Sequence, residues 1–189
     1  NKDYNVWTAQ NGAQAIEWMQ RQSIQLVVSD VMMPVMDGLE LLKKIKTDVE
    51  FSHIPVILLT AKTTIQSHME GLESGADAYI DKPFSSSLLL AQISNLLTNR
   101  EHIRQFYFKS PVANMKSIAY SKTDEQFLEK LNRIILEHIS DPDLDVNQIA
   151  EHMHLSRPTL YRKIREISAM TPNDLIRITR LKRAAELLL

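Results

Sequence analysis

Three polar side chains in the first half of the chain could together form a compact site that handles an anion. Asp30, Thr60 and Lys82 each follow a short, mainly apolar run that is typical of a strand in a parallel sheet. The carboxyl ends of such strands meet at one edge of an open α/β sheet, so we expect these side chains to lie close together. The Asp30 carboxylate is the only plausible nucleophile among the carboxylate, the hydroxyl and the ammonium group.

Alternating apolar and amphipathic segments predict the elements that position these residues. Strands are predicted at 5–9, 26–29, 56–60 and 78–81, and helices at 13–21, 38–48, 64–74 and 85–98. Further helices are predicted at 124–140, 145–152, 156–168 and 172–189. The prediction is an α/β domain over residues 1–100, a linker over 101–122 where the periodicity lapses, and an all-α domain over 123–189.

Composition narrows the class of protein. The chain has 189 residues, and 44% of them are hydrophobic, enough for two small domains with real cores. The absence of cysteine excludes disulfides and thiolate metal sites. No apolar run approaches the roughly 18 residues of a membrane span, and the first residues do not resemble a signal peptide. We therefore predict a cytoplasmic location and no membrane contact from this segment, although a parent protein with a membrane anchor fits the same data.

The charges are segregated within the second half. Residues 123–155 contain two bases against eight acids, whereas residues 156–183 contain eight bases against two acids. A basic block of this size in one domain indicates a polyanionic partner. The alternative is a solvated face of a helical domain.

The segments around the three polar residues resemble the response-regulator receiver domain over residues 1 to about 100. They are residues 29–38 (SDVMMPVMDG), 58–61 (LLTA) and 79–84 (YIDKPF). The resemblance implies a doubly wound parallel sheet and transfer of a phosphoryl group from a phosphohistidine donor to Asp30, with Mg²⁺. It further implies that Lys82 and Thr60 neutralise the phosphoryl oxygens, that Tyr79 is a switch residue, and that Asp30 and the Met32 carbonyl bind the metal.

One departure from the family pattern concerns the metal. The family's first strand ends in a pair of acids that hold Mg²⁺, and residues 4–7 already match its second strand. Asp3 is a poor substitute because it precedes a strand. We expect the receiver to lack its first strand here, the chain to be part of a longer protein, and mass spectrometry to show little phosphoryl uptake by the 189-residue chain alone.

Another enzyme class, the hydrolases that form an aspartyl phosphate, is disfavoured. Those enzymes need a second aspartate two residues after the nucleophile, and Met32 occupies that position. The pattern favours a phosphoacceptor over a turnover enzyme, although the parent protein could be a histidine kinase.

A helix-turn-helix is predicted over residues 145–168. Leu160, Ile164 and Ile167 have the spacing of a buried stripe. A second face of the same helix contains Pro158, Tyr161, Arg162 and Arg165, which are predicted to contact DNA. Arg157 is predicted to contact a DNA phosphate. Arginines beside an aromatic ring suit a helix that reads the major groove.

The second half resembles the DNA-binding domain of AraC-type transcription regulators. The matching segments are 149–156 (IAEHMHLS), 160–164 (LYRKI), 171–177 (TPNDLIR) and 180–185 (RLKRAA). Residues 172–189 match the helix that joins two helix-turn-helix units in the family, and the second unit is not in this sequence. His154 takes a turn position where glycine is common, and histidine tolerates positive φ.

Other candidate sites fail on spacing. Asp141, Asp143 and Asp145 resemble the start of a calcium loop, but the later positions do not fit, so they are predicted to precede and cap a helix. His152 and His154 would diverge on a helix, and His138 is predicted to be isolated.

The two resemblances together predict a homodimeric transcription regulator controlled by phosphorylation of Asp30, as in the C-terminal part of a hybrid sensor histidine kinase. One alternative is a separate response regulator. Another is a constitutive DNA-binding module in which the receiver is a dimerisation scaffold.

Overall fold

A computed structural model describes residues 4–61, 75–109 and 119–188. The chain divides into two compact units, Asn1–Thr98 and Asn99–Leu189. None of the helices in the described ranges is long and apolar enough to cross a membrane.

The first unit contains a parallel sheet with helices. In chain order its elements are α1 (Gly12–Arg21), β1 (Val27–Asp30), α2 (Gly38–Thr47), β2 (Val56–Thr60), β3 (Ala78–Asp81) and the start of α3 (Ser86–Lys109). The described strands form a three-stranded parallel sheet in the order β1-β2-β3. The α/β prediction for this part of the chain is therefore confirmed.

Local sequence explains where the first two helices begin. The side chain of Asn11 accepts a hydrogen bond from the Gln14 amide and starts α1. Asp37 starts α2 with a capping box, in which its carboxylate accepts from the amide of Glu40 and the Glu40 side chain accepts from the amide of Asp37. The core lies between these helices and the sheet, and its most buried members are Leu41, Leu42, Ile45, Val56 and Leu58.

A buried ion pair joins α2 to the beginnings of β2 and β3. Lys46 Nζ lies 2.7 Å from Asp77 Oδ2, and the two side chains are 9% and 16% exposed. Asp77 also accepts a hydrogen bond of 2.9 Å from the Val56 amide, and Lys46 donates one of 3.1 Å to the Ile54 carbonyl. Because every partner lies at the amino ends of the strands, this pair braces the sheet edge opposite Asp30.

The structure corrects two of the predicted elements. Residues 5–9 form no strand, because the described residues place no neighbouring strand beside them to share a backbone ladder. Helix α3 does not end at Thr98 but continues to Lys109, so it occupies part of the segment 101–122 predicted as a linker. The predicted helix at 64–74 lies outside the described residues.

Within the described residues, the second unit contains the remainder of α3 and four further helices. They are α4 (Lys122–Glu137), α5 (Val146–Met153), α6 (Arg157–Ser168) and α7 (Pro172–Leu187). Asp145 caps α5 with a capping box, as predicted for this acid, and Thr171 caps α7 in the same way. The most buried apolar residues come from three helices and are Leu128, Leu131, Ile135, Ile149, Leu160, Ile164 and Ile167.

Candidate functional site

The ends of three parallel strands bring the predicted phosphoryl-handling residues to one sheet edge. Asp30 ends β1, Thr60 ends β2, and Lys82 follows β3. In the sheet register Asp30 is level with Leu59, and the Lys82 amide donates a 2.8 Å hydrogen bond to the Thr60 carbonyl. The strand ends are thus level, as the sequence pattern predicts.

Asp30 and Lys82 are in direct contact. Lys82 Nζ lies 2.5 Å from Asp30 Oδ2, and the two side chains are 39% and 38% exposed. The other carboxylate oxygen, Oδ1, accepts a long hydrogen bond of 3.4 Å from the Met32 amide. The carboxylate is therefore oriented by its neighbours and still accessible to a reactant.

The surroundings of Asp30 keep it ionised. Partial burial alone would raise its pKa, but the hydrogen bonds from Lys82 and the Met32 backbone and the Lys82 charge outweigh burial, so the pKa lies below its ordinary value of 3.8. At neutral pH the group is a carboxylate, which is the nucleophilic form.

Thr60 and Tyr79 have different surroundings from Asp30. Thr60 is buried, with 5% of its surface exposed. Tyr79 is half-buried on β3, level with Leu58, and packs against the core cluster of the unit. Burial raises the pKa of its hydroxyl, so the ring is neutral at physiological pH. The switch role of Tyr79 stays a prediction.

The loop after Asp30 has two features that the sequence interpretation missed. A Cβ at Gly38 would lie 2.2 Å from the Asp30 carbonyl oxygen, so only glycine allows this close return of the loop. Val35 has a φ of 68°, which is strained for a β-branched residue. The Asp-Gly pair was a signal for the first feature, whereas nothing in the residue type of Val35 indicates the second.

The predicted metal ligands offer oxygen atoms of the kind that Mg²⁺ prefers, namely the Asp30 carboxylate and the Met32 carbonyl. Within the described ranges, no three acidic, histidine or cysteine side chains gather where they could hold a metal ion. Asp30 and Met32 thus fit part of a magnesium site, and the residues described here do not complete it.

A second candidate site is the outer face of α6. Arg157, Pro158, Arg162 and Arg165 are exposed and Tyr161 is half-buried. The Arg157 guanidinium lies 5.7 Å from the centre of the Tyr161 ring, within cation–π range. The structure therefore places the five predicted DNA-contacting residues on one helix, with at least part of each side chain open to solvent.

The helix before α6 meets it through a tight turn. His154 has a φ of 58° and a ψ of 40°, the left-handed conformation expected at this position. The Leu155 amide then donates a hydrogen bond of 2.9 Å to the Ala150 carbonyl. This turn separates α5 from α6 without a glycine.

Two assignments from the sequence were wrong in this unit. Lys163 was counted in the basic block, but it is only 1% exposed, and its Nζ lies 2.5 Å from Asp124 Oδ1, whose side chain is 0% exposed. His138 was predicted to be isolated, but its ring centre lies 4.8 Å from that of His152. Both contacts join residues far apart in sequence, which periodicity does not reveal.

Comparison with known proteins identifies the first unit. Residues 1–94 match the family model of the response regulator receiver domain. A histidine kinase named P4 from Formosa agariphila is 41% identical over 186 residues, which are 98% of this chain and 14% of that kinase. The response regulator Rre1 of Synechocystis is 36% identical over 99 residues, or 52% of this chain and 43% of that protein. The chain thus spans less than half the length of either relative.

A solved structure with a metal also matches. It is the receiver domain of the sensor histidine kinase PA1611 from Pseudomonas aeruginosa, described with magnesium coordinated in the active-site cleft. It is 26% identical, with a TM-score of 0.46, and the match covers 50% of this chain and 78% of that one. On the family match, the chain belongs, through residues 1–94, to the response regulator receiver domain family.

Proposed function

We propose that Asp30 accepts a phosphoryl group from a phosphohistidine donor. An Asp30 oxygen attacks phosphorus, the N–P bond breaks, and the imidazole nitrogen keeps the electron pair and takes up a proton. The observation that supports this role most is the exposed, ionised Asp30 carboxylate in contact with Lys82.

The neighbouring groups have distinct roles in this proposal. The Lys82 ammonium group would leave the Asp30 carboxylate and pair with a phosphoryl oxygen. The Thr60 hydroxyl would donate a hydrogen bond to another phosphoryl oxygen. When Thr60 moves towards the phosphoryl group, the ring of Tyr79, which lies on the neighbouring strand β3, would rotate inward. Asp30 and the Met32 carbonyl would provide part of the coordination of Mg²⁺, which when bound neutralises phosphoryl charge.

The helical unit is proposed to bind DNA as an AraC-type module, with α6 in the major groove. Support comes from the three exposed arginines and Tyr161 on one face of α6 and from the helix-turn-helix arrangement of α5 and α6. Arg162 would read a base and Arg157 would contact phosphate.

The two activities together make a transcription regulator controlled by phosphorylation, proposed to act in the cytoplasm as a homodimer. The match to the Formosa agariphila histidine kinase includes nearly all of this chain, the helical unit among it. This favours a histidine kinase as the parent protein, and we propose that the chain is the C-terminal part of a hybrid sensor kinase.

The phosphorylation switch is tested with Asp30→Asn in the full-length protein, using a reporter gene under its control. We expect induced transcription to fall to the uninduced level. Asp81→Asn is the matched control, because it removes an exposed acid at the end of β3, which is separated from the Asp30 strand by β2. Unchanged induction in Asp30→Asn would refute the switch and favour constitutive DNA binding.

The base-reading role is tested with Arg162→Ala and Arg157→Ala in binding assays over a range of salt. Arg162→Ala should lower sequence-specific affinity by about 1 to 3 kcal/mol, and Arg157→Ala should mainly flatten the salt dependence. Arg21→Ala, which removes an exposed arginine from the first unit, controls for net charge. Equal losses on specific and random DNA in Arg162→Ala would exclude base reading.

A further inference from the structure

The end of helix α3 contacts the candidate DNA-reading helix directly. Residues 99–109 of α3 belong to the second unit. Arg104 Nη2 donates a hydrogen bond of 3.2 Å to the backbone carbonyl of Arg165 in the last turn of α6. The same carbonyl accepts from the Ala169 amide at 3.0 Å. A cation at a helix C-terminus is favourable because the last carbonyls lack helical partners and bear partial negative charge.

Arg104 is held in place for this contact. Its side chain is 27% exposed, and its Nη1 lies 3.5 Å from Glu101 Oε2, one turn earlier on α3. The ion pair leaves Nη2 to reach the Arg165 carbonyl. An arginine that is tethered on one side and mostly covered loses little further freedom when it makes the second contact.

A second chain of contacts runs from α3 to the middle of α6. The Arg100 guanidinium lies 4.3 Å from the centre of the Tyr120 ring, and the Tyr120 hydroxyl donates to the Arg100 carbonyl at 3.3 Å. The Tyr120 amide donates to Asp124 Oδ2 at 3.2 Å. Asp124 in turn forms the buried pair with Lys163 on α6.

The surroundings of Tyr120 suit this chain of contacts. Burial raises the pKa of Tyr120 to about 12, although the charges of Arg100 and Arg104 act in the opposite direction. The hydroxyl is therefore protonated at any physiological pH and remains a hydrogen-bond donor to the Arg100 carbonyl.

The two chains of contacts from α3 reach α6 two residues apart, at the Lys163 side chain and at the Arg165 carbonyl. Lys163 is on the buried side, and the Arg165 carbonyl is in the last turn. Arg162 and Arg165, both exposed, are the arginines proposed to enter the groove. A shift of α6 by a fraction of an ångström would move these guanidinium groups relative to base edges, where bidentate pairing is sensitive to geometry.

We propose that the end of α3 is part of the DNA-reading unit and that Arg104 is a positioning residue for α6, acting through the Arg165 carbonyl. This inference rests on the proposed DNA-binding function. It extends the functional boundary of the DNA-binding domain back to residue 99, across the segment 101–122 that the sequence pattern predicts as linker.

The test uses the 189-residue chain and two probes, a 30-base-pair duplex selected by the wild-type chain from a random pool and a shuffled duplex of the same length. Arg104→Ala should weaken binding to the selected duplex about fivefold to tenfold and to the shuffled duplex less than twofold. Arg104→Lys should restore most of the loss, since an ammonium group also donates to a carbonyl. Arg133→Ala removes an exposed arginine of α4 and should have no effect on the ratio.

Hydrogen exchange gives a readout that does not depend on DNA. The Ala169 amide donates to the Arg165 carbonyl, so its exchange should become about tenfold faster in Arg104→Ala than in the wild-type chain. Equal losses on both duplexes, or unchanged exchange at Ala169, would overturn the positioning role. If the wild-type chain selects no duplex, the proposed DNA-binding function fails, and the exchange rate alone still decides whether Arg104 stabilises the end of α6.

Discussion

Two lysine–aspartate pairs of the same length have opposite surroundings. Lys82–Asp30 and Lys163–Asp124 both have a nitrogen–oxygen distance of 2.5 Å. The side chains of the first pair are 39% and 38% exposed, and those of the second are 1% and 0% exposed. The two pairs therefore differ in burial and not in the nitrogen–oxygen distance, and the exposed pair is the one proposed to react.

Exposure determines what each pair can do. Water screens Lys82–Asp30, so separating its partners costs little, and a phosphoryl group can take the place of the contact. Lys163–Asp124 has no solvent to replace a lost partner, so breaking it costs much more than breaking an exposed pair. The first pair suits chemistry that exchanges partners, and the second holds α4 and α6 together.

The largest expected effect comes from breaking the buried pair. Asp124→Ala leaves Lys163 without its carboxylate and should lower the free energy of unfolding by about 3 to 5 kcal/mol. Denaturant unfolding followed by circular dichroism at 222 nm measures this loss. The double variant Asp124→Leu, Lys163→Met is the control, and it should recover most of the stability. If Asp124→Ala lowers the free energy of unfolding by less than about 1 kcal/mol, the buried pair contributes no more than an exposed ion pair does.

The pair Lys46–Asp77 is an intermediate case that sharpens the comparison. Asp77→Ala removes the carboxylate that pairs with Lys46 and accepts from the Val56 amide. We expect a loss of about 3 kcal/mol in the first unit, followed through the fluorescence of Trp7 and Trp18, which both lie in that unit. Glu17→Ala, an exposed acid on α1, should change stability by less than about 0.5 kcal/mol. If Asp77→Ala has as little effect as Glu17→Ala, partial burial is not enough to make a pair structural.

Lys82→Ala should have a smaller effect on stability, below about 1 kcal/mol, while it raises the pKa of Asp30. A carboxylate with a lowered folded-state pKa contributes stability above its unfolded pKa and loses it as the pH falls through the folded value. Carbon-detected NMR titration should place the Asp30 midpoint below 3.8 in the wild-type chain and higher in Lys82→Ala. An unchanged midpoint would mean that Lys82 does not determine the Asp30 charge.

Added salt should produce the smallest effect, and it should weaken the exposed pair Lys82–Asp30 but not the buried pair Lys163–Asp124. At 1 M ionic strength the Debye length is about 3 Å, so the exposed Lys82–Asp30 interaction weakens and the pKa of Asp30 moves towards its ordinary value. The stability difference between wild type and Asp124→Ala should stay nearly constant. Parallel salt dependence of the two quantities would contradict the distinction between the pairs.

The phosphoryl-handling edge was predictable because its signals are local. Each of Asp30, Thr60 and Lys82 follows an apolar run, and β2 and β3 have the bounds that the runs predict. Parallel pairing then brings strand ends together without further information. The caps of α2, α5 and α7 are local in the same sense, because an acceptor side chain and its amide donors are three residues apart.

The parts that sequence reasoning missed depend on distant partners. From the sequence, Lys163 is one more base on a basic helix. In the structure it is buried and paired with Asp124, which lies 39 positions earlier. Helix α3 continues past Thr98, and its residues Arg100 and Arg104 contact Tyr120 and Arg165, which lie 20 and 61 positions later. Residues 5–9 have the composition of a strand, but strand formation needs a neighbour, which the described residues do not provide. Periodicity contains no information about any of these partners.

Phosphorylation-site mapping tests the central claim most directly. The full-length protein is incubated with a phosphorylated histidine donor and Mg²⁺, and the acyl phosphate is trapped by borohydride reduction before peptide mass spectrometry. We predict one modified residue, Asp30, and loss of phosphoryl uptake in Asp30→Asn but not in Asp81→Asn. A phosphoryl group on another residue, or undiminished uptake by Asp30→Asn, would contradict the assignment of Asp30 as the phosphoacceptor.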